Sequence, residues 1–164
     1  MLWRKESTWK TLRESYGLMK KLGAGYRTQY IQAAYSECYA AHRLLEAGYD
    51  VEFHTIPGCD LSLRLNETLD KTRTIKIEVK HSEDNKEKDR DGHGFSSWVM
   101  SKPQVEKEKF DLCILLRDSL KYDKPDAVYV FTREEIANTR TVIVNGYQKY
   151  YLWYSEFFEE ISKK

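Results

Sequence analysis

Three residues in two short apolar runs carry side chains that could do acid–base or metal chemistry. Asp60 heads "DLSLRL", and Glu78 and Lys80 lie in "TIKIEVK". Successive side chains of an extended strand alternate between faces. Ile75, Ile77 and Val79 therefore share one face, and Lys76, Glu78 and Lys80 share the other. The intervening "NETLDKT" reads as a polar turn. If the two runs form an antiparallel hairpin centred near Leu69, Leu61 falls opposite Ile77 and Leu63 opposite Ile75, apolar against apolar. The same register sets Asp60 opposite Glu78. Cross-strand partners stand with Cβ atoms about 5 Å apart, where like charges repel. A divalent cation, which binds hard carboxylate oxygens, would remove that repulsion. The alternative is a register slipped by two, or two acids splayed into water.

A third carboxylate, Glu37, belongs to a helix expected over residues 27–47. Ile31, Ala34, Cys38, Ala41 and Leu45 form its apolar stripe. Glu37 lies about 70° from the centre of that stripe at 3.6 residues per turn. A carboxylate there is half desolvated and can reach an adjoining sheet, although an ordinary surface glutamate fits the same position.

"PGCD" followed by "EVK" resembles the signature of the PD-(D/E)xK nuclease superfamily, whose restriction-endonuclease-like fold is shared by restriction endonucleases and archaeal Holliday-junction resolvases. Its pattern is an acid beginning one strand, a Glu-apolar-Lys on the next and a Glu on the preceding helix. Asp60, Glu78, Lys80 and Glu37 match those roles in the family's chain order. Gly58 and Cys59 separate Pro57 from Asp60, where the strict signature has proline and aspartate adjacent. Gln104 is similar to a glutamine seen in several branches, and the resemblance covers about residues 25–132.

The resemblance implies a Mg2+-dependent DNA endonuclease, restriction-type or structure-selective, with Mn2+ as a substitute metal. It implies that Asp60, Glu78 and the carbonyl oxygen of Val79 hold the metal, and that Glu37 holds a second ion or a water of the first. Lys80 would orient the attacking water and stabilise charge on the phosphate. The alternatives are a Holliday-junction resolvase, which a net charge of +1 disfavours, and a non-catalytic nucleic-acid-binding module on the same fold.

The elements that must position these residues follow from pattern. A first helix is expected over 5–20, and Gly48 ends the second. "VEFHT", "DLSLRL" and "TIKIEVK" read as strands, "DLCILL" and "AVYVF" as buried strands, and "TVIV" as a further strand. "SSWVMSKPQVEKEKF" contains a short helix started by Pro103. "TREEIAN" is a short helix capped by Thr132, and the tail "KYYLWYSEFFEEISKK" is helical. The fold class is mixed α/β (α+β), with a restriction-endonuclease-like central mixed sheet of four or five strands flanked by helices. The 164 residues suit a single nuclease domain with a core at about 25–132, to which the N-terminal helix and the aromatic C-terminal helix are added.

Charge and cysteine content narrow the partners. Residues 1–30 hold seven Lys/Arg against two acids, so Lys20, Lys21 and Arg27 could meet a polyanion, DNA above all. Lys86, Lys88 and Arg90 sit in the loop of Ser82 to Gly94, which suits a segment ordering on DNA. In the tail Tyr150, Tyr154, Phe157, Phe158 and Ile161 share one helical face, a candidate homodimer surface. Cys38, Cys59 and Cys113 form no C-x-x-C pair, which argues against a zinc ribbon and a disulfide framework. His42, His54, His81 and His93 lack zinc spacing, and no histidine adjoins Cys59 to activate it as a nucleophile. No segment resembles a signal peptide or a membrane span, so a cytoplasmic (intracellular) protein is expected.

Overall fold

A computed structural model describes residues 5–54, 59–68, 71–82, 95–99, 110–125, 127–136 and 141–145. Two long helices open the chain, α1 (Glu6–Lys21) and α2 (Tyr26–Glu46). Each stops in the same way. Gly23 and Gly48 adopt φ of +65° and +92°, which a side chain would resist. The turn lets Ala24 donate to Met19 and Tyr49 to Leu44, satisfying carbonyls that have no partner within the helix.

The strands β1 (Asp50–Phe53), β2 (Leu61–Thr68), β3 (Lys71–Ser82), β5 (Leu112–Arg117) and β6 (Ala127–Thr132) form one mixed sheet in the order β1-β2-β3-β5-β6. Only β3 and β5 run parallel; the other pairs are antiparallel. This five-stranded mixed sheet flanked by helices is the architecture the sequence led us to expect. In the hairpin Leu61 pairs with Ile77 and Leu63 with Ile75, the register read from apolar alternation.

α2 lies on the sheet face that presents Leu61, Leu63, Ile75, Ile77 and Val79, and α1 packs against α2 through Trp9 and Tyr16. This changes which side of α2 is buried. Tyr35, Tyr39, Ala40, Ala41 and Leu44 are buried, while Ile31, Ala34, Cys38 and Leu45 are only half-buried. The expected stripe is therefore rotated, because a helix sandwiched between a sheet and a second helix buries two sides rather than one. After β6, Thr132 caps α3 (Arg133–Ile136) as expected: its hydroxyl accepts from the Glu135 N–H, and the Glu135 carboxylate accepts from the Thr132 N–H.

A second correction concerns Phe95–Val99, which the sequence placed in a loop-and-helix stretch. It forms a strand, β4, paired antiparallel with β7 (Thr141–Asn145) as a separate two-stranded sheet. The helix expected from Pro103, the charged loop and the aromatic tail lie outside the described residues. Among those described, no helix is long and apolar enough to cross a membrane.

Candidate active site

The site grows from a notch in the sheet. β2 begins at Leu61, opposite Ile77, while β3 continues to Ser82 beside β5. Asp60 stands just outside the first ladder pair. Its N–H donates to the Ile77 carbonyl at 2.9 Å, and its carbonyl accepts from the His54 N–H at 2.8 Å. Its carboxylate turns inward and accepts the Val79 N–H at 2.8 Å. Both backbone and side chain of Asp60 are thus fixed against β3, and the carboxylate is brought to Glu78.

Glu78 is buried, and Lys80 Nζ lies 3.0 Å from its Oε1. Both belong to the face that also buries Cys113, which pairs with Glu78 across β3 and β5. Glu37 reaches the pair from α2 and comes within hydrogen-bond reach of Asp60. Three carboxylates from three elements therefore meet at the notch, with one ammonium beside them.

The crowding acts on the Glu37 and Asp60 carboxyls. Burial, then the charges of Asp60 and Glu78, push the Glu37 carboxyl up to about 7. Burial and the Glu78 charge also raise Asp60, against the opposing pull of the Val79 N–H and the Lys80 ammonium. Carboxylates crowded in this way are poised to share a proton or a cation.

The donor set fits a hard divalent cation: it is all oxygen, negatively charged and pressed together by the fold. Among the described residues, no three His, Cys, Asp or Glu side chains are already closed around one point. Mg2+ does not require that, since it keeps several waters and takes one or two carboxylates.

Of the expected site residues, Asp60, Glu78, Val79, Lys80 and Glu37 are brought together. Lys20 and Lys21 end α1, and Arg27 lies in the first turn of α2, all three exposed. Gln104, Lys86, Lys88 and Arg90 lie outside the described residues. Cys59 and Cys113 are buried free thiols raised by burial, and Cys38 is pushed up to about 11 by burial and then the Glu37 charge. None has the lowered pKa of a nucleophilic thiol.

Two arrangements were not read from the sequence. Gln32 Nε2 lies 2.7 Å from His81 Nδ1 and 3.2 Å from the Tyr16 hydroxyl, beside the end of β3. The available signal was a histidine directly after the Glu-Val-Lys triplet. The second is structural. Asp118, fully buried, accepts a bidentate pair of bonds from Arg13 at 2.8 and 3.0 Å and one from the Tyr35 hydroxyl at 2.6 Å. Burial alone would raise this carboxyl, but Arg13 and Tyr35 outweigh it and hold it below the usual range. An acid two residues after the apolar "LCILL" run was its visible sign.

No protein-family profile matches the chain, and no curated protein sequence does. Among solved structures, the chain is similar to a bacterial homing endonuclease, I-Ssp6803I, with a TM-score of 0.50 and 14% sequence identity. The likeness covers 82% of this chain and 93% of that one. The two share a fold.

Proposed function

We propose that this chain is a metal-dependent DNA endonuclease of the PD-(D/E)xK type, hydrolysing phosphodiester bonds at the notch of Asp60, Glu78, Lys80 and Glu37. The observation that carries the reading is the convergence of Asp60, from the head of β2, with Glu78 and Lys80 of β3, in the register that apolar pairing requires. The fold shared with a homing endonuclease supports DNA as the substrate.

A phosphodiester is anionic and repels hydroxide, so its hydrolysis needs positive charge and a deprotonated water near neutral pH. Mg2+ or Mn2+, when bound by the Asp60 and Glu78 carboxylates and the Val79 carbonyl, supplies both. The protein's own contribution is placement. Asp60 is held by the Val79 N–H, so one carboxylate direction is set before substrate arrives. Lys80, 3.0 Å from Glu78, brings a fixed cation next to the carboxylate that lies deepest. Turned toward substrate, that ammonium positions the attacking water and offsets charge developing on the phosphate oxygens. Glu37, raised to about 7, exchanges a proton readily at neutral pH and can accept one from water or hold a second cation.

Nicking of supercoiled plasmid, assayed beside linear and branched DNA, tests the reading. Cleavage is expected with Mg2+ or Mn2+ and not with Ca2+ or EDTA. Cleavage that persists in EDTA would contradict it. The same panel separates a restriction-type or structure-selective enzyme from a junction resolvase.

A further inference from the structure

An open groove of about 530 Å³ lies between the end of α1, the turn into α2 and the last residues of β3. Tyr16, Lys20, Thr28, Gln29, Gln32 and His81 stand on its walls. His81 lies two residues past Val79 on the same strand face, which is roughly 7 Å at the rise of an extended chain. A DNA duplex advances about 3.4 Å along its axis per nucleotide of one strand. The His81 wall of the groove therefore lies one or two nucleotide spacings along β3 from Val79.

Its chemistry is complementary to a polyanion. Among the described residues, the walls carry an ammonium, two hydroxyls, two amides and an imidazole, and no carboxylate. From Ser15 to Ser36 the chain contains Lys20, Lys21 and Arg27 and no acid at all. The first acid beyond is Glu37, which belongs to the notch. Charge thus changes sign along α2, from the basic polar groove at its first turns to the acidic notch at Glu37. The Gln32 amide, bonded to both His81 and Tyr16, fixes the inner wall in place.

We propose that this groove holds the DNA backbone one or two nucleotides from the bond that is cut. Lys20 supplies charge, Thr28 and Gln29 donate hydrogen bonds to phosphate oxygens, and Gln32 with His81 forms the ordered wall behind them. The proposal rests on the endonuclease reading and adds to it the path of the substrate strand.

The test is binding of a 5′-labelled duplex in Ca2+, measured between about 50 and 200 mM salt, where phosphate contacts dominate affinity. The variants are Lys20→Ala, Gln29→Glu and, as a charge-matched control, Lys10→Ala on the far part of α1. Lys20 and Gln29 are exposed, so neither change burdens folding. Lys20→Ala is expected to weaken binding several-fold and lower the salt slope by about one unit. Gln29→Glu, which sets a carboxylate against phosphate, is expected to weaken it about tenfold, and Lys10→Ala by less than about twofold. Phosphate-ethylation interference should fall one or two nucleotides from the cut. If the parent binds and cleaves while both groove variants keep its affinity and slope, the groove proposal is overturned and the endonuclease reading stands. If the parent neither binds nor cleaves DNA, both fall.

Discussion

The Asp60 carboxylate accepts the backbone N–H of Val79 at 2.8 Å, so a candidate metal ligand is also a hydrogen-bond acceptor of the sheet. It occupies the place where β2 would have continued the ladder. One side chain therefore ends a strand, anchors its neighbour and sets up the carboxylate pair.

That double role separates two substitutions. Asp60→Asn removes a crowded charge and keeps an oxygen for Val79, so in EDTA at neutral pH it should melt level with the parent or about 1–3 °C above it. Asp60→Ala leaves the Val79 N–H without its acceptor, a cost of about 1–3 kcal/mol, or several degrees. Thermal melts of the three proteins decide it. Mg2+ should stabilise the parent and leave both variants almost unmoved.

The crowded carboxylates also set a pH dependence. Glu37 titrates near 4.5 when unfolded and about 7 when folded, so between those values the folded state binds the extra proton. The stability this contributes is complete below about pH 4.5 and is lost as pH rises through about 7. Asp60 acts in the same direction. Urea midpoints in EDTA should therefore carry a component that falls from pH 5 to pH 7.5, and Glu37→Gln should flatten it. Metal affinity should run the opposite way and rise over that range, because the ligands must lose protons to bind. A parent profile indistinguishable from that of Glu37→Gln would remove the crowding.

The Arg13–Asp118–Tyr35 cluster is expected to matter for folding alone. Asp118→Ala takes the carboxylate from a half-buried guanidinium, which keeps the Tyr122 carbonyl, and strands a buried hydroxyl, for a loss of about 3–5 kcal/mol and roughly 6 °C or more in melting temperature. Cleavage by the folded fraction, assayed well below that temperature, should match the parent. A specific loss of rate in a protein folded at the assay temperature would give the cluster a part in the site.

Much of the candidate site's geometry was legible because it is built from local patterns. Apolar alternation over Leu61–Leu65 and Ile75–Val79 allows few registers, and a one-residue slip would turn the core face to water. Asp60 and Glu78 follow from that register without any further information. Glu37 was legible as a residue at the edge of a buried face. The β4–β7 pairing was not, because Phe95 and Asn145 meet through a non-local ladder that no local period encodes. The buried arc of α2 was misplaced for a related reason: its second covered side is created by α1, which pattern within α2 cannot report. Asp118 and Arg13 lie 105 positions apart, and their bond is a property of the assembled fold.

Free thiols offer a check on the chemistry. Cys59 and Cys113 are buried with raised pKa values, and Cys38 sits at about 11. Alkylation at neutral pH should therefore be slow in the native protein and leave cleavage unchanged. Rapid inactivation by iodoacetamide, with the fold intact by circular dichroism, would point to a cysteine nucleophile instead.

In the proposed reaction Glu78 and its neighbours at the notch carry the hydrolysis. Single-turnover cleavage of a labelled duplex in Mg2+, with enzyme in excess, measures this directly in the parent, Glu78→Gln and Lys80→Ala. Both variants should bind the duplex in Ca2+ within several-fold of the parent. Their cleavage rates should fall by about a hundredfold or more, the scale on which a single electrostatic group at a reacting centre is felt. Rates within a few-fold of the parent in both folded variants would place the chemistry elsewhere in the chain.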